Sequence, residues 1–403
     1  MQDWRRYNSS PLNYLEEMDR ERQHLPKKVY IHDTTLRDGE QFPGVVFTKK
    51  DKVRIGMALS ELGVHRIEIM PAVSQEDYET VEELNSLGIS SEIVGFCRSL
   101  KGDIQKAADL KCSGIELEIT TFPPLIEALG WSFDETAKKI IDASHFAKEQ
   151  GLRVTAFLML VTQSPWEFIQ KMIEKILKEG AIDAIALADT RGTCLPQALY
   201  YLVRRVKSMT DKCIEIHPHN TYGLGTAGAL AAVMAGAEVV HTCVNGLGEG
   251  GGNAALETVA TDLEMMLGLT TGIKLEKLYQ VSKLVEECSQ ISLQANWPLV
   301  GERVFTQESG MAVDIRNKMA KAGKADPPDM DMAGILGRKR QIVVGKMSGS
   351  SSIKMKMGQL GIPIPENNKI MEILNRVKAK AIEKHHALTD EEFKSVINQI
   401  ICP

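Results

Sequence analysis

Between residues 28 and 245 the chain repeats one pattern, a short run rich in β-branched residues followed by a longer stretch with helical spacing. The runs fall at 28–34, 65–70, 91–97, 114–120, 153–160, 184–189, 213–219 and 239–245. Parallel strands cannot be joined by tight hairpins, and each gap here is long enough for a crossover helix. Eight regularly spaced units, with no Gly-x-Gly-x-x-Gly after the first run, predict an α/β fold: a closed (β/α)8 TIM barrel rather than an open doubly wound sheet.

After residue 272 the alternation stops. "IKLEKLYQVSKLVEECSQIS" has helical spacing, "AKAGKADPPDMDMAG" is Pro-, Gly- and Asp-rich like a linker, and 366–401 carries two helical patterns split near Leu388-Thr389-Asp390. The expected organisation is a polar N-terminal arm over 1–27, a catalytic barrel over 28–272, and a linker with a small, mostly helical subdomain over 273–403.

Of the 403 residues, 43% are hydrophobic and 25% charged, with a formal net charge of -5. That balance gives no general attraction to nucleic acid or anionic membrane, and the cluster Arg338-Lys339-Arg340 is short enough to be a solvated face or an anion contact. No stretch has the length and apolarity of a signal peptide or membrane span. The seven cysteines are scattered without a Cys-x-x-Cys pair, as expected in a reducing cytoplasm. His145 and His385-His386 lie on helical patterns as surface residues, and Met355 and Met357 read as packing.

Chemistry concentrates where strands give out. In "HDTTLRDGEQFPG" (32–44), Arg37, Asp38 and Glu40 crowd into one short loop after the first run, with Gly39 available for a sharp turn. In "IEIHPHNTYG", His217 and His219 are two residues apart, so on an extended strand both imidazoles leave the same face and can share an ion. A closed barrel brings the first strand beside the eighth and near the seventh, and places Asp38 within reach of both histidines. The loop "VNGLGEGGGN" adds Asn253 as an oxygen ligand, with glycines that allow close backbone approach. Mixed oxygen and imidazole donors suit divalent zinc, manganese or magnesium.

Taken in order, "DTTLRDGEQ", "HPHNTYG" and "NGLGEGGGN" resemble the DRE-TIM metallolyase superfamily, which includes 2-isopropylmalate, homocitrate and citramalate synthases and 3-hydroxy-3-methylglutaryl-CoA lyase. The resemblance extends to "PLVGERVFTQESG" and "VVGKMSGSSS", which are similar to the synthases' "VGxxxFTHxSGIH" and "GKHSGR" segments. It implies Asp38, His217 and His219 as metal ligands with Asn253 at or beside the shell, Arg37 as catalytic arginine, and Gln41 and Glu68 near the metal. It also implies that Thr190 of "LADTRG" contacts the substrate carboxylate. Arg98, at a strand end, is a candidate carboxylate clamp, and Glu249 is either an anchor behind the ligands or a satisfied loop carboxylate. An acyl-CoA cosubstrate, a small 2-oxo or hydroxy acid and a homodimer are implied as well.

The chain departs from the synthase pattern at three positions. Ala312 stands where the "SGIH" histidine would move protons, Met347 replaces the "GKHSGR" histidine and Ser350 its arginine. "FLMLVTQSP" and "HNTYG" are nearer the lyase branch. Three functions are therefore open: an acyltransferase condensing an acyl-CoA with a 2-oxo acid, a carbon–carbon lyase on the same scaffold, and a non-catalytic metabolite-binding relative.

Overall fold

The computed structural model describes residues 9–323 and 332–401. It divides between Leu293 and Gln294 into two compact units. In the first, β1 (Tyr30–Asp33), β2 (Arg66–Ile69), β3 (Glu92–Arg98), β4 (Gly114–Thr120), β5 (Arg153–Met159), β6 (Ala184–Asp189), β7 (Cys213–Pro218) and β8 (Val239–Thr242) form a closed barrel in sequence order. Every expected strand is present. Closure comes from parallel pairing of β1 with β8, in the register Tyr30↔Val239 to Asp33↔Thr242.

The helices between the strands are specified locally. The first crossover helix, α1 (Lys49–Leu62), starts at a capping box in which Thr48 and Asp51 satisfy each other's backbone N–H groups, a device worth about 1 kcal/mol. It stops at Gly63, whose φ of 101° is open to few other residues and whose Cβ would lie 2.5 Å from the Gly272 carbonyl oxygen. Val53, Ile55, Leu59 and Leu62 form its buried face. On the strands, alternate residues such as Ile31, Ile67, Ile93, Leu117, Val154, Ile185, Ile214 and Val240 are buried hydrophobics. The intervening positions hold His32, Glu68, Glu116, Glu215 and His241, all buried and close to one another. Strands spread around the ring can bring these side chains together only in the barrel interior, so the lumen carries a layer of charged and imidazole groups beside an apolar cluster of Phe96, Phe157, Ala186 and Ala188.

The arm expected over 1–27 is described from residue 9. It contains a short helix, Glu16–Glu21, and ties to the barrel unit where Arg22 Nη2 donates to the Met266 carbonyl oxygen at 2.8 Å. The barrel unit runs past the boundary at 272 suggested by the sequence pattern. The helix α2 (Leu278–Ser289) belongs to it, because Ser282 and Asn245 exchange buried hydrogen bonds at 2.5 and 2.9 Å.

The second unit has its own core, which includes Val344, Ile353, Met357, Ile370, Leu374, Val377, Phe393 and Val396. The two expected C-terminal helices, α3 (Asn367–Lys384) and α4 (Asp390–Ile401), are separated by His385 in a left-handed conformation and by a Thr389/Glu392 cap. Met357 is core packing, as the sequence suggests, and His145, His385 and His386 are exposed. The middle of the expected linker, 324–331, lies outside the described residues. Six cysteines lie among the described residues and all are free, while Cys402 lies outside them. No helix of the described residues is long and apolar enough to cross a membrane.

Candidate metal centre and its surroundings

The loop after β1 is wound around a single acceptor. The Thr34 carbonyl oxygen takes the N–H groups of Arg37, Asp38 and Gly39 at 3.0, 2.8 and 3.1 Å, and this winding presents Arg37 and Asp38 at the barrel mouth. Gly39 is not what makes the turn sharp, contrary to expectation. It lies in a right-handed 3-10 turn, and an added Cβ would meet Thr35 and Leu247 at ordinary contact distances of 3.5 and 3.6 Å.

Asp38, His217 and His219 converge from two strand ends. Asp38 Oδ2 lies 3.1 Å from His217 Nε2 and 3.6 Å from His219 Nε2, and the two imidazole Nε2 atoms are 3.2 Å apart. Asn253 joins them, its Nδ2 donating to Asp38 Oδ2 at 2.8 Å and its Oδ1 buried without a hydrogen-bond partner. Glycine is required just before it, since a Cβ on Gly252, at φ 77°, would collide with the Gly246 carbonyl oxygen. Gly252 therefore serves the chain's packing on itself.

The electrostatics favour a cation. Burial alone would raise the Asp38 pKa, but the Arg37 guanidinium, followed by His217 and His219, holds it well below the usual carboxylate range. Burial, then the neighbouring His217, pushes His219 down to about 4, and burial also lowers His217. An ionised carboxylate beside two neutral imidazoles is the protonation state a metal binds. With the orphaned Asn253 Oδ1, these residues fit a divalent ion with mixed nitrogen and oxygen ligation.

Arg37 sits beside this set. Its Nε donates to Glu68 Oε1 at 2.5 Å, its Nη1 is 3.7 Å from Asp38 Oδ2, and the Phe96 ring lies 4.0 Å from its guanidinium carbon. Nη2 is buried without a hydrogen-bond partner. Burial works against the charge, but Glu68 and then Asp38 keep the guanidinium firmly protonated.

The remaining expected residues are not all gathered here. Gln41 ends the 3-10 turn and is exposed. Thr190 is half-buried, its hydroxyl accepting from the Leu160 N–H at 2.9 Å. Glu249 reaches Asp38 through its backbone N–H, at 3.5 Å from Oδ1, while the residue itself is exposed. Arg98 is already engaged: Nε and Nη2 grip Asp103 at 2.8 and 3.0 Å, so its fork is held on the adjoining helix. The sequence reading passed over His32, Glu116, Glu215 and His241 in the lumen. Their signal was charge or imidazole at every second position of otherwise apolar strands, as in "ELE" and "IEIHPH".

The HMGL-like family profile matches residues 28–285, the barrel and the helix that closes its unit. The chain belongs to the HMGL-like family. Its similarity to curated members of this family continues beyond the barrel. A 2-isopropylmalate synthase of Methanocaldococcus jannaschii is 37% identical over 382 residues, 94% of this chain and 72% of the relative. A homocitrate synthase of the same organism is 35% identical over 379 residues, 93% and 91% of the two chains. Among solved structures, the HMG-CoA lyase of Bacillus subtilis superposes with a TM-score of 0.59 at 23% identity, covering 67% of this chain and 96% of that one. The lyase likeness is one of fold, and it spans about the barrel's share of the chain.

Within this HMGL-like chain the departures from the synthase pattern sit together. The Gly310 N–H donates to the Met347 carbonyl oxygen at 3.2 Å, bringing the segment of Ala312 beside that of Met347 and Ser350. Met311 and Met347 are exposed there.

Proposed function

We propose that this chain is a divalent-metal-dependent acyltransferase that joins an acyl-CoA, with acetyl-CoA the first to test, to a 2-oxo acid through a new carbon–carbon bond. The observation that carries this reading is the reach of the synthase likeness. Identities of 35 to 37% run over 93 to 94% of the chain, so the second unit is included with the barrel.

Asp38, His217, His219 and Asn253 are the residues that would hold the ion. Bound there, it supplies Lewis acidity toward a carbonyl oxygen of the acceptor. Arg37 is the charge-stabilising residue. Its Nε is fixed by Glu68, its face is covered by Phe96, and the unpartnered Nη2 is the donor available to an oxygen that gains negative charge. Thr190 is the candidate for the substrate carboxylate, and Gln41, at the end of the loop that carries Asp38, is a candidate beside the ion. Arg98, held by Asp103, belongs to the rim of a cleft of about 340 Å³ walled by Leu125, Leu129, Trp131 and Met159. That cleft suits the apolar part of a substrate. In the reaction a base takes a proton from the acyl α-carbon, that carbon attacks the keto carbon, the oxygen that gains charge is protonated to a hydroxyl, and water then cleaves the thioester to a carboxylate and the free thiol.

A lyase reading is favoured by one specific observation, the loss of the synthase histidines at Ala312 and Met347. Thiol release by metal-loaded protein separates the two. The test uses acetyl-CoA and related thioesters with pyruvate, 2-oxoisovalerate, 2-oxoglutarate and oxaloacetate. Release that depends on one oxo acid and is abolished in Arg37→Ala supports the synthase. Absence of release from protein with its metal bound, together with cleavage of a hydroxy acid or its thioester, supports the lyase. A homodimer in the cytoplasm is part of the same reading, in keeping with the free cysteines, and light scattering of the purified chain tests the dimer.

A further inference from the structure

One inward layer below the mouth, the lumen holds a second convergence of ligand-type side chains: His32 on β1, Glu116 on β4, Glu215 on β7 and His241 on β8. Glu215 is two residues before His217 on the same strand, so the two groups are successive layers of one barrel. All four residues are buried, with at most 1% exposure. We propose that these residues form a second divalent-metal site, distinct from the one at the mouth.

The first argument is polar satisfaction. Buried polar atoms in folded proteins almost always find partners, and an exception calls for a reason such as an ion. Here Nδ1 of His32 and both oxygens of Glu116 have no hydrogen-bond partner. A network built only to bond with itself would not leave a ring nitrogen and a carboxyl oxygen bare at 3.8 Å from each other.

Spacing gives the second argument. His32 Nδ1 lies 3.8 Å from Glu116 Oε1 and 4.0 Å from Glu215 Oε2, too far for hydrogen bonds. Bonds of about 2.0–2.2 Å to a common ion set two donor atoms roughly 3–4 Å apart, which is this range. His241 Nε2, at 2.9 Å from Glu215 Oε2, is at its lower end. One ligand atom from each residue lies within 4.8 Å of all the others, so a small side-chain movement closes the shell.

The surroundings are arranged as they are behind metal ligands. The other oxygen of Glu215, Oε1, takes Arg66 Nη1 at 2.8 Å and Thr155 Oγ1 at 3.4 Å, which fixes the carboxylate with Oε2 toward the group. Glu68 Oε2 stands 3.3 Å from His32 Nε2, the carboxylate-behind-histidine arrangement that sets which ring nitrogen meets a metal. Charge agrees. Glu68, Glu116 and Glu215 are three buried carboxylates, and Arg37 and Arg66 pair with the first and last of them. Glu116 has neither arginine as a partner, and burial beside Glu215 and Glu68 raises its pKa well above the usual carboxylate range, so a divalent ion bound here would take the place of its proton. Two imidazoles with two carboxylates suit zinc, manganese or iron(II).

The test uses the full-length protein, equilibrated with zinc and freed of excess, with metal counted by mass spectrometry. Glu116→Gln should hold one zinc equivalent fewer than the wild type, and Asp38→Asn should separately remove the mouth ion. Equal zinc content in the wild type and Glu116→Gln overturns the proposal. The comparison stands even if the mouth site fails, because the ion at issue then persists in Asp38→Asn. Should Glu116→Gln not fold, anomalous diffraction from zinc-grown wild-type crystals decides. A peak between His32, Glu116, Glu215 and His241 supports the site, and its absence with zinc in the crystal overturns it.

Discussion

Arg37→Lys tests the chemistry of the mouth most directly, because it keeps the charge and removes the fork. In the wild type, Nε is committed to Glu68 at 2.5 Å, Nη1 stands 3.7 Å from Asp38, and Nη2 is the buried donor left for a substrate oxygen. A lysine has one nitrogen. Drawn to Glu68 and Asp38 it still compensates both carboxylates, so the fold and the metal ligands are retained, but nothing remains at the Nη2 position. Losing one preorganised donor from a buried site that stabilises developing charge costs about 10²–10³ in turnover, or about 2.7–4 kcal/mol. The assay is thiol release at saturating thioester and oxo acid, with metal content measured on the same sample. The expected result is unchanged metal stoichiometry, kcat lower by about 10²–10³, and a much smaller change in KM, the pattern of a contact made in the transition state. A lysine variant with kcat within about threefold of wild type at equal metal content would refute the assignment, because the fork would then be dispensable.

Four further outcomes follow from the geometry. Asn253→Ala, which removes the orphaned Oδ1 and the donor to Asp38, should weaken metal binding by about 10–100-fold in chelator competition, and unchanged affinity would take Asn253 out of the centre. Gly252→Ala should lower stability by more than about 1 kcal/mol in urea denaturation, since its Cβ meets the Gly246 carbonyl at a positive φ. The Ile31 N–H donates to His65 Nδ1 at 3.0 Å, so only the neutral ring fits; burial, then Lys28 and Arg66, lowers its pKa from 6.5 to about 4. That contribution is complete above pH 6.5 and is lost as the pH falls toward 4; His65→Asn should lose stability less steeply over this window, and equal slopes would count against the linkage. In the second unit, Phe393→Ala should cost about 3–5 kcal/mol and lower that unit's melting transition, as expected for a fully buried aromatic.

The architecture was legible because it is carried by outward-facing residues. Isoleucine, valine and leucine on each strand mark its position whatever the lumen holds, so all eight strands were found and the barrel followed from their number. His217 and His219 were legible for a similar reason, two like ligands at a spacing that has a geometric meaning. The engagement of Arg98 was hidden because its partner, Asp103, lies in the next helix, and sequence spacing does not say which way a terminal arginine folds back. The end of the barrel unit was equally hidden. The periodicity over 278–289 announces a helix, but what assigns it is the Asn245–Ser282 pairing across an unrelated loop. The lumen charges were written in the sequence at alternate positions, yet alternation of charged and apolar residues also describes a strand with one face in water. Only closure of the sheet turns that solvated face into an interior.

Closure also joins the lumen to the chemistry at the mouth. Glu68 divides its two oxygens, Oε1 to Arg37 Nε at 2.5 Å and Oε2 toward His32 Nε2 at 3.3 Å. Whatever sets the charge on His32 therefore sets how fully Glu68 compensates Arg37, over distances at which a buried pair is little screened by solvent. A change one layer down, at Glu116 or His241, alters the field at Arg37 without touching a substrate. The residues that tune this barrel are accordingly to be sought beneath the mouth as well as around it. The outward hydrophobic shell makes that arrangement tolerable, since burial of each large aliphatic side chain against a helix returns roughly 1.5–3 kcal/mol and leaves the interior free to carry charge.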